Sequence, residues 1–445
     1  MKKLCRFMVA VAVMFIINAC GKDSKTNNLL LLLGLAGNTS DPPIYIDPGF
    51  GFGGPVLTDI NQDDEARAVA IQSDGKIVAA GKTKSTSNNY SAIAVVRYNT
   101  DGSLDESFGT GGKVITDITP MNDYANAVVI DGSNNIVVAG YANGDFAVVR
   151  YTPAGELDTT FDADGIAKTD IRGQAGDDEA TSIAIDASNK IVVAGKSYDM
   201  SGVDYNDFAV VRYTSAGALD TSFGTGGKVT TDINSHQHDF GRSIAIQSDG
   251  KILVAGYTKK TGGYSIAVVR YTSSGVLDSS FDTDGKKIYS FETSDEAHAI
   301  AAQSDGTIVI AGHSLRGTPA QKDFTVARIT SSGSLDTTFG ILGGGKVFID
   351  FAGSNDEGAA LAIDASGKYV VVGTAQSGSA YDFGIARINT TGWLDTTFGT
   401  NGKARIDIGG SEDRAYAVAI QTNGRIIMAG YSNKNGTKDF ALVRI

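Results

Sequence analysis

Residues 146–155 read FAVVRYTPAG, and variants of this stretch return along the chain up to its last residues. Its arginine recurs at intervals of 53 to 62 residues. The seven copies are Arg97, Arg150, Arg212, Arg270, Arg328, Arg387 and Arg444. A period of this length indicates a repeat architecture, in which each copy is one supersecondary unit.

A phenylalanine and two aspartates keep the same period as the arginine. The phenylalanines are Phe50, Phe108, Phe161, Phe223, Phe281, Phe339 and Phe398. The first aspartate comes three residues earlier, at Asp47, Asp105, Asp158, Asp220, Asp278, Asp336 and Asp395. The second aspartate precedes a stretch of small residues, at Asp64, Asp123, Asp178, Asp239, Asp295, Asp356 and Asp413. Matches at all four positions indicate seven copies of one unit.

Each unit contains four short runs with strand character. In the first unit they are residues 56–60, 66–72, 76–80 and 92–98. The turn Ser73-Asp74-Gly75 joins the second run to the third, and glycine tolerates the positive φ of a tight hairpin. Seven units of four strands predict an all-β, seven-bladed β-propeller with four antiparallel strands per blade. The first and last units resemble the middle ones and lack the distinct caps of an open solenoid, so we expect a closed ring.

The order of strands within a blade follows from side-chain size. The second run carries Ala66, Ala68 and Ala70, and small residues suit the strand nearest the axis, where the ring is narrowest. The first run, residues 56–60, is then the outermost. We therefore predict that this N-terminal strand completes the blade formed by the last three strands and closes the ring without a free edge.

Three stretches carry a resemblance to a known repeat. They are LDESFGTGGKV at residues 104–114, FAVVRYTPAG at 146–155 and AIQSDGKI at 245–252. Together they resemble the delta-60 repeat, a family of bacterial β-propeller repeats. The resemblance covers residues 47–445 and implies a propeller fold, but it implies no activity.

The N-terminal segment has the features of an export signal. Residues 1–20, MKKLCRFMVAVAVMFIINAC, join a basic start to an apolar run that is short for a membrane span. Ile17-Asn18-Ala19-Cys20 resembles the lipobox of bacterial lipoproteins, which implies cleavage before Cys20 and acylation of that residue, for example by palmitate.

The resemblance to lipoproteins divides the chain into three parts. We expect a signal peptide at residues 1–19, a lipidated tether at 20–46 and the propeller at 47–445. Acyl chains on Cys20 would then hold the protein in the bacterial cell envelope. Gly21 and Lys22 follow that cysteine without an acidic retention signal, which favours the outer membrane.

Charge and cysteine content exclude several classes of protein. The chain has 38 basic and 50 acidic residues, a net charge of −12. Loss of Lys2, Lys3 and Arg6 with the signal peptide leaves −15, and such a field disfavours nucleic acid as a partner. Of the two cysteines, Cys5 lies in the signal peptide, so no intrachain disulfide can form in the mature chain.

The repeated charged residues allow two interpretations. They could form rings around the axis that bind a cation, or they could form buried arginine–aspartate pairs that lock each blade. Symmetry favours the pairs, because a reaction centre normally needs unlike residues in different roles. A third acidic position is Asp59, Asp117, Asp170, Asp232, Asp350 and Asp407, with Ser290 in the fifth unit. We interpret it as a turn or strand-end position, because a broken ring is a poor metal site.

Few residues suggest a reaction centre. His236-Gln237-His238 is the one local histidine pair, but histidines two apart point to opposite sides of a strand. Asp162-Ala163-Asp164-Gly165 resembles a fragment of a calcium loop and lacks its distal glutamate. No GxSxG or HExxH motif occurs in the sequence. We therefore expect no catalytic residue, no metal ligand and no cofactor.

The loops that differ between units are the remaining candidates for specificity. They include residues 197–206 with Tyr198, Met200 and Tyr205, the segment 315–319, and the turn with the single tryptophan, Trp393. Loops on a rigid scaffold commonly carry binding specificity. The sequence predicts a monomeric, non-catalytic envelope lipoprotein whose propeller presents a loop face to a protein or carbohydrate ligand. The alternative is an extracellular propeller enzyme, of hydrolase or lyase type, with its site in the central channel.

Overall fold

The computed structural model describes residues 44–51, 53–173, 176–199, 205–340, 343–351, 353–410 and 412–445. Within these ranges the chain forms seven four-stranded antiparallel sheets and no α-helix. The seven-bladed propeller predicted from the repeats is therefore confirmed. No helix that could cross a membrane occurs in these ranges. Residues 1–43, with the predicted signal peptide and Cys20, lie outside them.

The strands are grouped here by their place in the blade. The innermost strands are β2 (Glu65–Ile71), β6 (Asp123–Ile130), β10 (Glu179–Ile185), β14 (Asp239–Ile246), β18 (Ser294–Ala302), β22 (Asp356–Ile363) and β26 (Asp413–Ile420). The second strands are β3 (Ile77–Lys84), β7 (Ile136–Ala142), β11 (Ile191–Asp199), β15 (Ile252–Lys260), β19 (Ile308–Arg316), β23 (Tyr369–Ser377) and β27 (Ile426–Ser432).

The outer half of each blade consists of a long strand and a short one. The third strands are β4 (Ser91–Tyr98), β8 (Asp145–Tyr151), β12 (Tyr205–Tyr213), β16 (Gly263–Tyr271), β20 (Gln321–Ile329), β24 (Ala380–Ile388) and β28 (Asp439–Arg444). The outermost strands are β5 (Lys113–Thr116), β9 (Ile166–Thr169), β13 (Lys228–Thr231), β17 (Lys286–Tyr289), β21 (Lys346–Ile349), β25 (Lys403–Ile406) and β1 (Val56–Thr58).

The ring is closed by the first strand, as the sequence predicted. Blades one to six each use four consecutive strands, from β2–β5 to β22–β25, and blade seven has the order β1-β28-β27-β26. In blade seven Val56 lies opposite Leu442 and Thr58 opposite Phe440. The closing strand ends at Thr58, shorter than the predicted run, whereas β3 extends beyond its predicted end to Lys84.

The hydrophobic core lies between neighbouring blades. One of its clusters joins Val78 and Val95 of blade one to Val138 and Val149 of blade two, all fully buried. Burial of one valine stabilises the fold by about 1.5–3 kcal/mol. The alternating apolar side chains of each strand therefore face both adjacent blades, which explains the short continuous apolar runs that recur in the sequence.

Candidate functional site

The repeated arginine forms the same set of contacts in every blade. Its Nε donates to the first repeated aspartate at 2.7–2.9 Å. Its guanidinium lies 4.4–5.0 Å from the centroid of the repeated phenylalanine ring. We call this Arg–Asp–Phe set the blade staple; its pairs are Arg97–Asp105, Arg150–Asp158, Arg212–Asp220, Arg270–Asp278, Arg328–Asp336, Arg387–Asp395 and Arg444–Asp47.

The staple also connects one blade to the next. Arg150 Nη1 donates to the Ser215 carbonyl oxygen at 2.5 Å, and Arg270 Nη1 to the Ser331 carbonyl oxygen at 2.6 Å. Burial disfavours ionisation of Asp278, but the hydroxyl and backbone N–H of Ser280, with Lys251 and Arg270, outweigh it and lower the pKa of Asp278 to about 2. The set therefore consists of ionised, hydrogen-bonded groups that hold adjacent blades together.

The second repeated aspartate has a different place. Asp64 and its equivalents lie at the start of the innermost strands, whereas the arginines lie at or next to the end of the third strands, on the opposite face of the ring. Asp123, for example, accepts hydrogen bonds from the backbone N–H groups of Ile118 and Thr119. The two sets of aspartates thus lie on different faces of the ring, and only the first set pairs with the repeated arginines.

A β-bulge interrupts every innermost strand at the same position. In β2 the pairing with β3 skips from Ala66 to Ala68 and leaves Arg67 unpaired. The same irregularity occurs in the other six blades. Bulges re-aim side chains and are frequent beside functional sites.

The seven bulge residues surround a central channel. The cavity there has a volume of about 350 Å³, and all seven innermost strands contribute to its lining. The bulge residues are Arg67, Asn126, Thr181, Arg242, His298, Ala359 and Tyr416. Unlike the staples, this ring contains seven positions and six kinds of residue. The channel therefore offers unlike polar groups from several blades, which a reaction centre requires and the staples do not provide.

Blade five contains a compact set of metal-ligand residues, one of which, His298, lines this channel. Glu296 and His298 lie on β18, on either side of Ala297, and His313 lies opposite Glu296 on β19. Ligand atoms of the three side chains lie within 4.8 Å of one another. Glu296 Oε2 is 3.6 Å from His298 Nε2, and Glu296 Oε1 is 3.8 Å from His313 Nε2. Ligands at about 2.0–2.1 Å from a tetrahedral zinc ion lie about 3.3 Å apart, so small side-chain rotations would complete a site.

Three of the four imidazole nitrogens in this trio have no hydrogen-bond partner among the described residues. His298 Nε2 and both ring nitrogens of His313 are buried without one among the described residues. The two rings stack at a centroid distance of 5.1 Å. Burial lowers the pKa of His298 to about 4, so this ring is neutral at pH 7. Buried polar atoms without partners are unusual in folded proteins, and a bound cation would satisfy them.

A guanidinium beside the trio faces the same channel. Arg242 Nη2 donates to the Tyr257 hydroxyl oxygen at 2.6 Å, and Arg242 Nε is buried without a partner among the described residues. The Tyr257 ring lies 6.1 Å from that of His298. Arg67, in contrast, is bonded to Asn126 and Glu65. Arg242 therefore keeps donor capacity for an anionic group in the channel.

The candidates chosen from the sequence do not assemble into a second centre. His236 is exposed and approaches Asp232 at 3.5 Å, whereas His238 stacks on Phe240. Of the loop residues, Trp393 is exposed, and Tyr198 and Tyr205 lie within β11 and β12. Met200 lies outside the described residues, as does Cys20.

The sequence analysis missed the trio because it sought ligands close together in the sequence. Glu296 and His298 are two residues apart, and His313 comes from the next strand of the hairpin. The sequence nevertheless contains a signal. The position directly after the small residue of each innermost strand holds a residue type that changes from unit to unit. A search for variation inside the repeated strands would have found Arg242 and His298.

Comparison with known proteins agrees with a propeller of repeats. The model of the family described as "Domain of unknown function (DUF5122) beta-propeller" matches residues 72–108, 132–161, 187–223, 247–281, 303–339 and 365–398. These six segments are therefore similar to the repeats of that family. No curated protein matches the chain.

Several solved structures are similar to this chain at low identity. A streptogramin B lyase is 12% identical over 88% of this chain and 98% of its own, with a TM-score of 0.46. A catalytically inactive virginiamycin B lyase from Staphylococcus aureus with quinupristin is 14% identical over 88% and 99%, with a TM-score of 0.47. A protein of unknown function from Dyadobacter fermentans is 12% identical over 88% and 97%, with a TM-score of 0.45. Similarity at this level carries no argument about activity.

Proposed function

We propose that this chain is a metal-dependent propeller enzyme of lyase or hydrolase type, acting on a small anionic molecule in the central channel. The observation that carries the proposal is the trio of Glu296, His298 and His313. Two imidazoles and one carboxylate are a ligand set typical of a catalytic zinc or related transition-metal site, which leaves a position open for substrate.

The surroundings of the trio support a substrate rather than a purely structural ion. The channel volume of about 350 Å³ lies within the range of small-molecule sites. Arg242 would bind a carboxylate or another oxyanion, because its guanidinium has free donors. A metal at the trio would polarise a carbonyl oxygen of the same molecule. Tyr257 positions Arg242 through its hydroxyl group.

The cellular location of the protein remains a prediction from the N-terminal residues. Acylation of Cys20 and delivery to the outer membrane would place this channel outside the cytoplasm. The loop-face binding module predicted from the sequence differs from the enzyme in one respect: it would not need the trio.

The proposal is tested by titrating ZnCl₂ into the purified chain after EDTA treatment, with isothermal calorimetry as the readout. We expect one tight site in the unmodified protein and its loss in Glu296→Gln, His298→Ala and His313→Ala. His238→Ala is the matched control, because this histidine lies in the neighbouring blade outside the trio, and we expect unchanged binding. Equal zinc binding by His298→Ala and His238→Ala would contradict the proposal.

A further inference from the structure

Carboxylates from two adjacent blades converge on the face of the ring opposite the staples. At each joint the groups come from the start of the third strand, the end of the outermost strand and the start of the next innermost strand. Between blades seven and one these are Asp439, Asp59 and Asp64. Their ligand atoms lie within 4.8 Å of one another. We call such a set a joint triad; others are Asp207–Asp232–Asp239, Asp323–Asp350–Asp356 and Asp382–Asp407–Asp413.

Most of the other joints neutralise their charge with the chain's own groups. Arg172 forms ion pairs with Asp207 and Asp199. It is therefore the counter-ion of the triad between blades three and four. At the joint between blades five and six, Arg316 Nη1 lies 3.0 Å from Asp323 Oδ2.

Two further joints reduce their negative charge in other ways, one with a lysine and one by replacing the acids with serines. Between blades two and three, Lys168 Nζ lies 3.0 Å from Asp145 Oδ2. Between blades four and five, Ser265 and Ser290 replace the two carboxylates of blade four, and their hydroxyl oxygens are 2.6 Å apart.

The triad of Asp59, Asp64 and Asp439 differs in lacking an ion pair, although the Asp64 carboxylate accepts hydrogen bonds from the Ile60 N–H and the Thr83 hydroxyl group. No basic side chain forms an ion pair with any of its three carboxylates in the part of the chain that the structure describes. Lys113 Nζ donates to the backbone carbonyl oxygen of Asp59 at 2.7 Å, a contact that Lys228 and Lys286 repeat at other joints. This lysine therefore does not distinguish the joint.

A buried oxygen in this triad lacks a partner. Asp439 is 1% exposed, and its Oδ1 has no hydrogen-bond partner among the described residues, whereas its Oδ2 accepts from Asn435 Nδ2 at 2.7 Å. Asp64 is fully buried, and Asp59 is exposed and leaves the joint open to solvent. Buried carboxylate oxygens normally bind a donor or a cation. Asp207 Oδ1 and Asp239 Oδ1, in the triad that Arg172 approaches, are also without a partner among the described residues, so the free oxygen of Asp439 indicates a ligand only together with the missing ion pair.

We infer that the joint between blades seven and one binds a calcium ion through Asp59, Asp64 and Asp439. Calcium takes oxygen ligands at 2.3–2.6 Å, so two ligands on one ion are at most about 5.2 Å apart, and the ligand atoms of this triad lie within that limit. The triad Asp382–Asp407–Asp413 between blades six and seven also lacks an ion pair among the described residues, and Asp413 Oδ1 is buried without a partner there. It is the second calcium site of the same kind.

Calcium at these joints would have a structural role distinct from the channel. Blade seven is the one that the N-terminal strand completes, and both of its joints carry a triad that lacks an ion pair among the described residues. A cation there would link Asp59, next to the closing strand, to the first innermost strand. The ion would thus stabilise the seam where the two ends of the propeller meet.

The test is calorimetric titration of CaCl₂ into the EDTA-treated protein. We expect two calcium ions per chain, one in Asp59→Asn and none in the double variant Asp59→Asn/Asp407→Asn. Asp350→Asn is the matched control, since Asp350 is the equivalent of Asp59 in a triad that has Arg316, and it should retain both ions. Far-UV circular dichroism and thermal unfolding verify that each variant is folded, independently of zinc binding.

The outcomes separate this inference from the proposed function. No calcium binding in the unmodified protein, or equal stoichiometry in Asp59→Asn and Asp350→Asn, would overturn the calcium sites whatever the zinc result. Loss of zinc binding in His298→Ala with two calcium ions retained would support both assignments, because imidazoles are poor calcium ligands.

Discussion

The blade staples and the ring of bulge residues come from the same repeat but differ in how much they vary. Each staple contacts mainly its own blade and one neighbour, so the surroundings of Arg212 and Arg270 are nearly identical. The bulge residues all face one axis. Seven identical charged side chains there would repel one another in a confined channel. Repetition therefore suits the staple, whereas the channel requires unlike residues and can acquire a site.

This comparison is tested most strongly by removing one arginine from each region. Arg150→Ala removes the only ion-pair partner of the Asp158 carboxylate among the described residues and should lower the free energy of unfolding by about 3–5 kcal/mol. Arg242→Ala removes a channel arginine that forms no ion pair with a carboxylate among the described residues. No buried carboxylate therefore loses its counter-ion, and the free energy of unfolding should fall by less than about 1 kcal/mol. Denaturant unfolding of both variants measures the difference. Equal destabilisation would show that the two regions do not differ as described.

A second prediction concerns the glycine that faces each bulge. A Cβ on Gly312 would lie 1.9 Å from the carbonyl oxygen of Glu296. Gly312→Ala should therefore shift the β18 bulge, destabilise the protein by about 1–3 kcal/mol and weaken zinc binding by about 10–100-fold. Gly54→Ala is the control, because a Cβ there meets no atom within 4 Å. Thermal unfolding and zinc titration provide the two measurements. Unchanged zinc affinity in Gly312→Ala would separate the bulge from the trio.

The smallest effect is expected at the channel position that is already apolar. Ala359→Gln adds a polar side chain to the open channel and should change the unfolding free energy by no more than about 0.5 kcal/mol. The channel can accommodate the longer side chain because its volume is about 350 Å³. A large loss of stability in this variant would indicate that the bulge ring is constrained as tightly as the staples.

Sequence reasoning succeeded where one short segment carried the whole signal. The strand order, the small residues of β2 and the return of the first strand to the last blade all followed from the pattern within one unit. It failed at the channel and at the joints. Glu296 with His313, and Asp59 with Asp439, become neighbours only through strand pairing and ring closure. The earlier interpretation of Asp59 and its equivalents as turn or strand-end residues describes their position, but it leaves out the carboxylates that the next blade brings to them.

The sequence by itself determined the number of blades, the four-stranded sheet and the closure by residues 56–58, because these depend on local hydrophobic pattern and on a repeat that is read along the chain. Only the tertiary structure decided which unlike side chains share the channel and which carboxylates remain without a counter-ion. Those relations depend on a bulge and on closure of the ring, which bring together residues far apart in the sequence.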